Sequence, residues 1–142
     1  MPARRGSARD PRPSGPRVPD ARRFSRRRLE ALDAATYLKI RSGTEHRLIA
    51  IWVVVVNGRA YVRSWNDKRG GWYRAFLEEP RGAIELDGRE VRIRGVARRG
   101  EHLMRAIEQA YADKYTTPAS LKYVAGFRRP RRRAATLELV PR

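Results

Sequence analysis

The chain has 142 residues, no cysteine and a formal net charge of +18. That length favours one domain, and the lack of cysteine excludes a disulfide framework and thiolate chemistry. No apolar run approaches the ~18 residues of a membrane-spanning helix, the Arg-rich start lacks the apolar segment of a secretory signal, and His46 and His102 lie too far apart to suggest a zinc site; a soluble cytoplasmic protein is the expectation.

The charge is unevenly placed. Residues 1–28 hold ten Arg against two Asp, and residues 128–133 hold five Arg, whereas residues 29–127 hold 17 Lys plus Arg against 12 Asp plus Glu. Residues 1–23 contain five Pro, with only Met1 and Val18 as apolar residues larger than alanine and proline. Such a segment buries too little surface to offset its ordering entropy. It is expected to be a disordered basic arm, either solvated or holding nucleic acid non-specifically through phosphates. Residues 24–142 are expected to form the folded domain.

A helix is predicted over Ser25–Ala35, with Ser25 as N-cap and Phe24 and Leu29 as a hydrophobic staple. Thr36–Arg41 alternates as a strand, and residues 42–45 form a turn. Leu48–Val56 is a strand apolar at nearly every position, so both of its faces need cover. Asn57-Gly58 turns it into a second strand, Ala60–Ser64. A loop over residues 65–71 leads to a short helix from Trp72 to Glu79. Ala83–Leu86 and Glu90–Arg94 form another hairpin around Asp87-Gly88. Residues 101–115 are the longest helix, with Leu103, Met104, Ile107, Ala110 and Tyr111 on its inner face. Residues 116–133 read as an irregular, partly basic connection, and Ala135–Val140 is the last strand. Six strands and about three helices without a βαβ rhythm predict a mainly β (α+β) domain, an antiparallel sheet closed as a barrel.

The second hairpin strand ends beside a loop carrying Arg63, Ser64, Lys68, Arg69 and two glycines. Hydroxyl, cations and backbone N–H groups there suggest a phosphate cradle for a cofactor. The plainer readings stand beside this one. Trp52 and the valines serve as core or dimer interface, Arg63 and Ser64 as an ordinary strand end, and Arg128–Arg133 as a solvated loop rather than a contact for nucleic acid.

The run His46–Ser64, Gly70–Arg74, Ala110–Tyr115 and Ala135–Pro141 resembles the DUF2255 proteins over roughly residues 36–141. That family is similar to the flavin-binding split-barrel superfamily of pyridoxamine-phosphate oxidases and deazaflavin-dependent nitroreductases. The resemblance implies a six-stranded split barrel and a homodimer with FMN or deazaflavin near the subunit interface. It implies that Ile51, Trp52 and Val53 lie on the strand whose backbone faces the flavin ring. It places Arg63 and Ser64 at the strand end near the cofactor phosphate, and Lys68 where a basic residue completes that contact. The match departs at Ile49-Ala50, where many relatives carry Thr-Pro.

No nucleophile–base pair or carboxylate pair emerges, so a flavin would carry any chemistry. The leading expectation is a flavin- or deazaflavin-dependent oxidoreductase. The alternatives are a non-enzymatic basic module for nucleic acid and a cofactor-free structural dimer.

Overall fold

The computed structural model describes residues 22–142. The arm expected over residues 1–23 lies outside these, apart from Arg22 and Arg23. Seven strands are described: β1 (Leu38–Ser42), β2 (Ile49–Ile51), β3 (Val54–Val56), β4 (Arg59–Arg63), β5 (Arg81–Leu86), β6 (Arg89–Ala97) and β7 (Thr136–Pro141). Between them lie five helices: α1 (Arg26–Ala34), α2 (Trp72–Glu78), α3 (Glu101–Lys114), α4 (Leu121–Gly126) and the single turn α5 (Pro130–Arg133). Ser25 caps α1, accepting from the Arg28 N–H at 3.2 Å. Asn57-Gly58 and Asp87-Gly88 turn with positive φ at both positions, as the tight hairpins require.

All neighbours in the sheet are antiparallel, in the order β2-β1-β5-β6-β7-β4-β3. The two edge strands, β2 and β3, are consecutive in the chain and separated only by Trp52 and Val53. The sheet therefore curls until its edges nearly meet, forming a split barrel. This corrects two expectations. The apolar run Leu48–Val56 is two strands rather than one, which raises the count from six to seven. Residues 116–133 are not an irregular connection but contain α4 and α5.

Where the chain jumps between edges, Val53 has no strand partner among the described residues, yet it is fully buried. A buried backbone group left unpaired is costly. Side chains at the end of α3 supply the partners. Tyr115 accepts from the Val53 N–H at 3.2 Å and donates to the Thr36 carbonyl at 2.6 Å. Lys114 Nζ donates to the Val53 carbonyl at 2.8 Å and to the Leu32 carbonyl at 3.1 Å. Burial pushes the Tyr115 phenol up to about 12 and lowers the Lys114 ammonium.

The need for cover on both faces of the apolar run is met within the chain. Val53 and Val55 point into the barrel with Leu38, Ile40, Val62, Ile84, Ile93, Leu137 and Leu139. Val54, Val56 and Tyr61 pack outward against Met104, Ile107 and Tyr111 of α3. Helix α2 lays Phe76 on two glycines, where a Cβ would come within 3.0 Å of its ring at Gly82 and 2.8 Å at Gly95. Ser42 lies 2.7 Å from the Glu79 carbonyl and ties the end of α2 to β1.

Tyr115→Phe should lower the unfolding free energy by about 1–3 kcal/mol, because it strands the buried Val53 N–H. Urea unfolding checks this. A change within ~0.5 kcal/mol, the range of neutral surface substitutions, would remove the phenol from its place in closing the split.

Candidate functional site

Beside the split lies a slot of about 440 Å³. One wall is β2, from Ile49 to Ile51, whose outer edge pairs with no strand among the described residues. Trp52, Trp65, Trp72, Tyr123 and Phe127 supply aromatic walls, and Ser64, Asn66, Lys68 and Gly71 line the rest with Arg63. The topology produces this arrangement directly. Strand β3 starts only at Val54, so opposite β2 the gap is faced by the loop that leaves β4.

The aromatic walls are held in place. Trp52 stacks on Tyr115 with ring centroids 3.9 Å apart and planes within 5°. One face of the indole is thus taken by the ring that closes the split. Tyr123 and Phe127, one turn apart on and after α4, meet Trp65 edge-on at 4.9 Å and 5.6 Å and Trp52 edge-on at 6.1 Å and 6.0 Å. The Arg132 guanidinium sits 3.4 Å over the Trp65 ring, and its Nε donates to the Trp65 carbonyl at 2.9 Å. Gly126 admits the Trp65 ring where any Cβ would collide with it.

The loop after β4 is similarly braced. Ser64 donates its hydroxyl to the Asn66 carbonyl at 2.9 Å, and Arg74 grips Asp67 with Nε at 2.7 Å and Nη2 at 3.3 Å. A turn from the Lys68 carbonyl to the Gly71 N–H, 3.0 Å, sets the approach to α2. Lys68 is exposed and forms no ion pair among the described residues.

Of the residues singled out in the sequence, Ile51, Trp52, Arg63, Ser64 and Lys68 meet at the slot. Val53 does not line it and is buried in the barrel core. Arg69 is exposed and outside the slot lining. Arg63 contributes to the wall, but its guanidinium is engaged elsewhere. It donates to Thr136 Oγ1 at 2.8 Å, Glu108 at 2.9 Å, the Phe127 carbonyl at 2.7 Å and Met104 Sδ at 3.2 Å. Its side chain is fully buried, and desolvation lowers its pKa, with the hydrogen bond to Glu108 working against that. The Tyr111 hydroxyl beside it is buried without a hydrogen-bond partner among the described residues, and burial pushes its pKa upward.

Trp65, Tyr123 and Phe127 escaped the sequence reading. The only signal was the spacing of Tyr123 and Phe127, hidden in a short helix ending in glycine and flanked by Pro118 and Pro130. The basic run 128–133 is also more structural than its composition suggests. Arg133 bridges Glu101 at 3.0 Å and Glu108 at 2.6 Å, and Arg132 holds Trp65, while Arg128, Arg129 and Arg131 are exposed.

Residues 28–139 match the model of a family described as uncharacterized proteins conserved in bacteria, DUF2255. The chain belongs to the DUF2255 family. No curated protein matches it. Among solved structures it resembles the conserved hypothetical protein Rv2991 from Mycobacterium tuberculosis, with 14% identity and a TM-score of 0.54 over 84% of this chain and 81% of that one. It also resembles a FAD-binding protein from Mesorhizobium loti, with 15% identity and a TM-score of 0.49 over 84% of this chain and 91% of that one. At 14% identity the likeness to Rv2991 speaks for the fold alone. Among the described residues of this DUF2255 chain, no helix is long and apolar enough to cross a membrane, and no His, Cys, Asp and Glu cluster has a metal-binding arrangement.

The network around Arg133 has a pH signature. Hydrogen bonds from Arg133 and Arg105 hold the Glu101 carboxyl at about 2, below its ordinary 4.5. A depressed carboxylate contributes stability above its unfolded value, and the contribution disappears as pH falls through the folded value. The melting temperature should therefore fall between about pH 4.5 and about pH 2, and Glu101→Gln should flatten that fall. An identical profile for the variant would assign the acid sensitivity to other carboxylates.

Proposed function

We propose that the slot holds the ring system of a flavin-type cofactor, FMN or a deazaflavin, and that the protein is a flavin-dependent oxidoreductase of the cytoplasm. The observation carrying this reading is the coincidence of a flat-sided aromatic cavity with a free strand edge. Ligand pockets are commonly ~300–1,000 Å³, mostly apolar, with a few convergent polar groups, and this slot of about 440 Å³ has that composition. An extended edge presents backbone donors and acceptors to the rim of a planar heterocycle. Aromatic walls suit its faces. A cation with no carboxylate partner among the described residues, Lys68, suits a phosphate at one end.

Each residue then has a defined task. Ile49–Ile51 offer the edge, and Trp52 is fixed against Tyr115 as a rigid wall. Trp65 is held flat by Arg132. Arg63 supports the slot from behind, because its N–H groups are directed at Glu108, Thr136, Phe127 and Met104. Bound there, a flavin would supply hydride or electron transfer, and the protein would position it and exclude water.

A homodimer belongs to the same reading. Tyr123, which lines the slot, is 38% exposed and Leu121, two residues earlier on α4, is 56% exposed, and a second copy seated on this helix would cover the opening. Light scattering that finds a soluble monomer at high concentration would remove this part. The basic-module alternative rests on the Arg-rich residues 1–23 and on Arg128, Arg129 and Arg131. It would gain if an oligonucleotide showed a salt-dependent gel shift while no flavin bound.

The deciding measurement is titration of the purified protein with FMN, riboflavin and a deazaflavin, followed by flavin fluorescence. Lys68→Ala should weaken FMN about tenfold to a hundredfold, from the ~1.5–3 kcal/mol ascribed to a hydrogen bond to a charged group. Riboflavin should be indifferent to the change. Failure of all three ligands to bind at high micromolar concentration would overturn the proposal. Arg63→Ala should behave differently, costing about 3 kcal/mol of stability by leaving buried Glu108 short of a partner. Guanidinium unfolding measures that loss, and a variant as stable as the parent would mean that Glu108 is satisfied by Arg133 alone.

A further inference from the structure

A second cavity of about 440 Å³ lies on the outer face of the sheet, away from the slot. Strand register builds it. Arg41 pairs with Ala83, and Ala83 with Arg92. Ile93 pairs with Pro141, and the Arg142 N–H donates to the Arg92 carbonyl at 3.1 Å. One row across β1, β5, β6 and the end of β7 thus reads Arg41, Ala83, Arg92, Arg142. Neighbouring strands lie ~4.8 Å apart, so the short side chain of Ala83 leaves a gap between guanidinium groups on either side.

Two carboxylates brace the rim. Glu90 accepts from Arg41 Nη2 at 2.8 Å. Glu79 accepts from the Arg81 backbone N–H, Nε and Nη2 at 3.1, 3.2 and 3.0 Å. Arg92 and Arg142 have no ion-pair partner among the described residues. Arg41 Nε is buried with no hydrogen-bond acceptor among those residues. Glu79 is lowered chiefly by Arg81, and Arg142 adds to the effect, so that guanidinium also lies near the rim. Among the side chains around this concavity, four guanidinium groups stand against two carboxylates, an excess that favours entry of a further anion. An ordinary solvated sheet face requires neither a cavity nor a buried donor without an acceptor.

We propose that this cavity is a phosphate-binding site separate from the slot, with Arg92 and Arg142 offering paired N–H groups and the Arg41 guanidinium adding positive charge to its wall. Planar guanidinium forks match phosphate oxygens two at a time. The site takes an exposed phosphate or diphosphate group, either from a free small ligand or from a nucleic-acid backbone.

Inorganic pyrophosphate is the probe, titrated into the full chain at constant ionic strength, with calorimetry and arginine Nε–H NMR read together. The expected result is saturable binding at millimolar concentration or below, with a shift of the Arg41 Nε–H resonance. Arg92→Gln and Arg142→Gln should each weaken binding about tenfold to a hundredfold, the loss of one charge-assisted contact. Lys68→Ala, which alters only the slot, should leave it unchanged. Circular dichroism establishes that each variant is folded, and Arg142→Gln stands in if Arg92→Gln is not. Tighter binding of a single-stranded oligonucleotide than of pyrophosphate, lost in the same variants, would assign the phosphate to a nucleic acid; the reverse order would assign it to a free ligand. Non-saturable heats, an unmoved Arg41 resonance or equal loss in Lys68→Ala would overturn the site. None of these results depends on flavin binding, so the two proposals fail separately.

Discussion

Two consecutive residues, Trp52 and Val53, carry the chain from one edge of the sheet to the other, and the rest of the fold is arranged around that step. Seven strands laid flat would span about 29 Å at ~4.8 Å per gap. From Ile51 to Val54 the chain covers about 10 Å even when extended. A flat sheet is therefore impossible, and the curl is imposed by covalent connection. The step also leaves backbone groups without ladder partners, which Tyr115 and Lys114 satisfy. The long helix α3 is thus more than a cover for the outer face of β3. Lys114 at its end and Tyr115 just after it close the split, and the Tyr115 ring fixes Trp52 at the slot.

A buried ionic cluster ties the other end of this assembly together. Arg63 at the end of β4, Glu108 of α3 and Arg133 of α5 share charges behind the slot. Burial of such groups is costly, and the cost is offset only where geometry and hydrogen bonding are nearly complete. Here Thr136, Phe127 and Met104 take three more of the Arg63 N–H groups. Elements distant in sequence are thereby fixed relative to one another, and the slot walls with them. Glu138 has a parallel place on β7, with Arg59 at 2.8 Å and Arg98 at 2.9 Å.

The sequence made α1, α2 and α3 legible, along with the two hairpins and the Asn-Gly and Asp-Gly turns, because these depend on local periodicity and turn chemistry. Val54, Val55 and Val56 signalled burial on both faces, and that was right. What local patterning could not reveal was that the run changes sheet edges midway, since Trp52 and Val53 are as apolar as their neighbours. Pairing with Tyr115 is a contact across more than sixty positions. The same limit applies to Arg63. Its place at a strand end was readable, but the direction of its guanidinium depends on Glu108 and Thr136, which tertiary structure alone brings near. Tyr123 and Phe127 were hidden because a six-residue helix offers too few turns for a periodic signal.

The position of β7 bears on how the chain reaches this state. The last strand in sequence is central in space, between β6 and β4. Before it docks, the sheet consists of two unconnected pieces, β2-β1-β5-β6 and β4-β3. Its pairing with β4 joins residues as far apart as Ala60 and Leu139, so closure pays a long-loop entropy and comes late on the folding path. Until then two apolar strand edges face solvent, a template for pairing with another chain. A chain cut short before Thr136 would keep most of its hairpins and helices but remain permanently in that open, self-associating form.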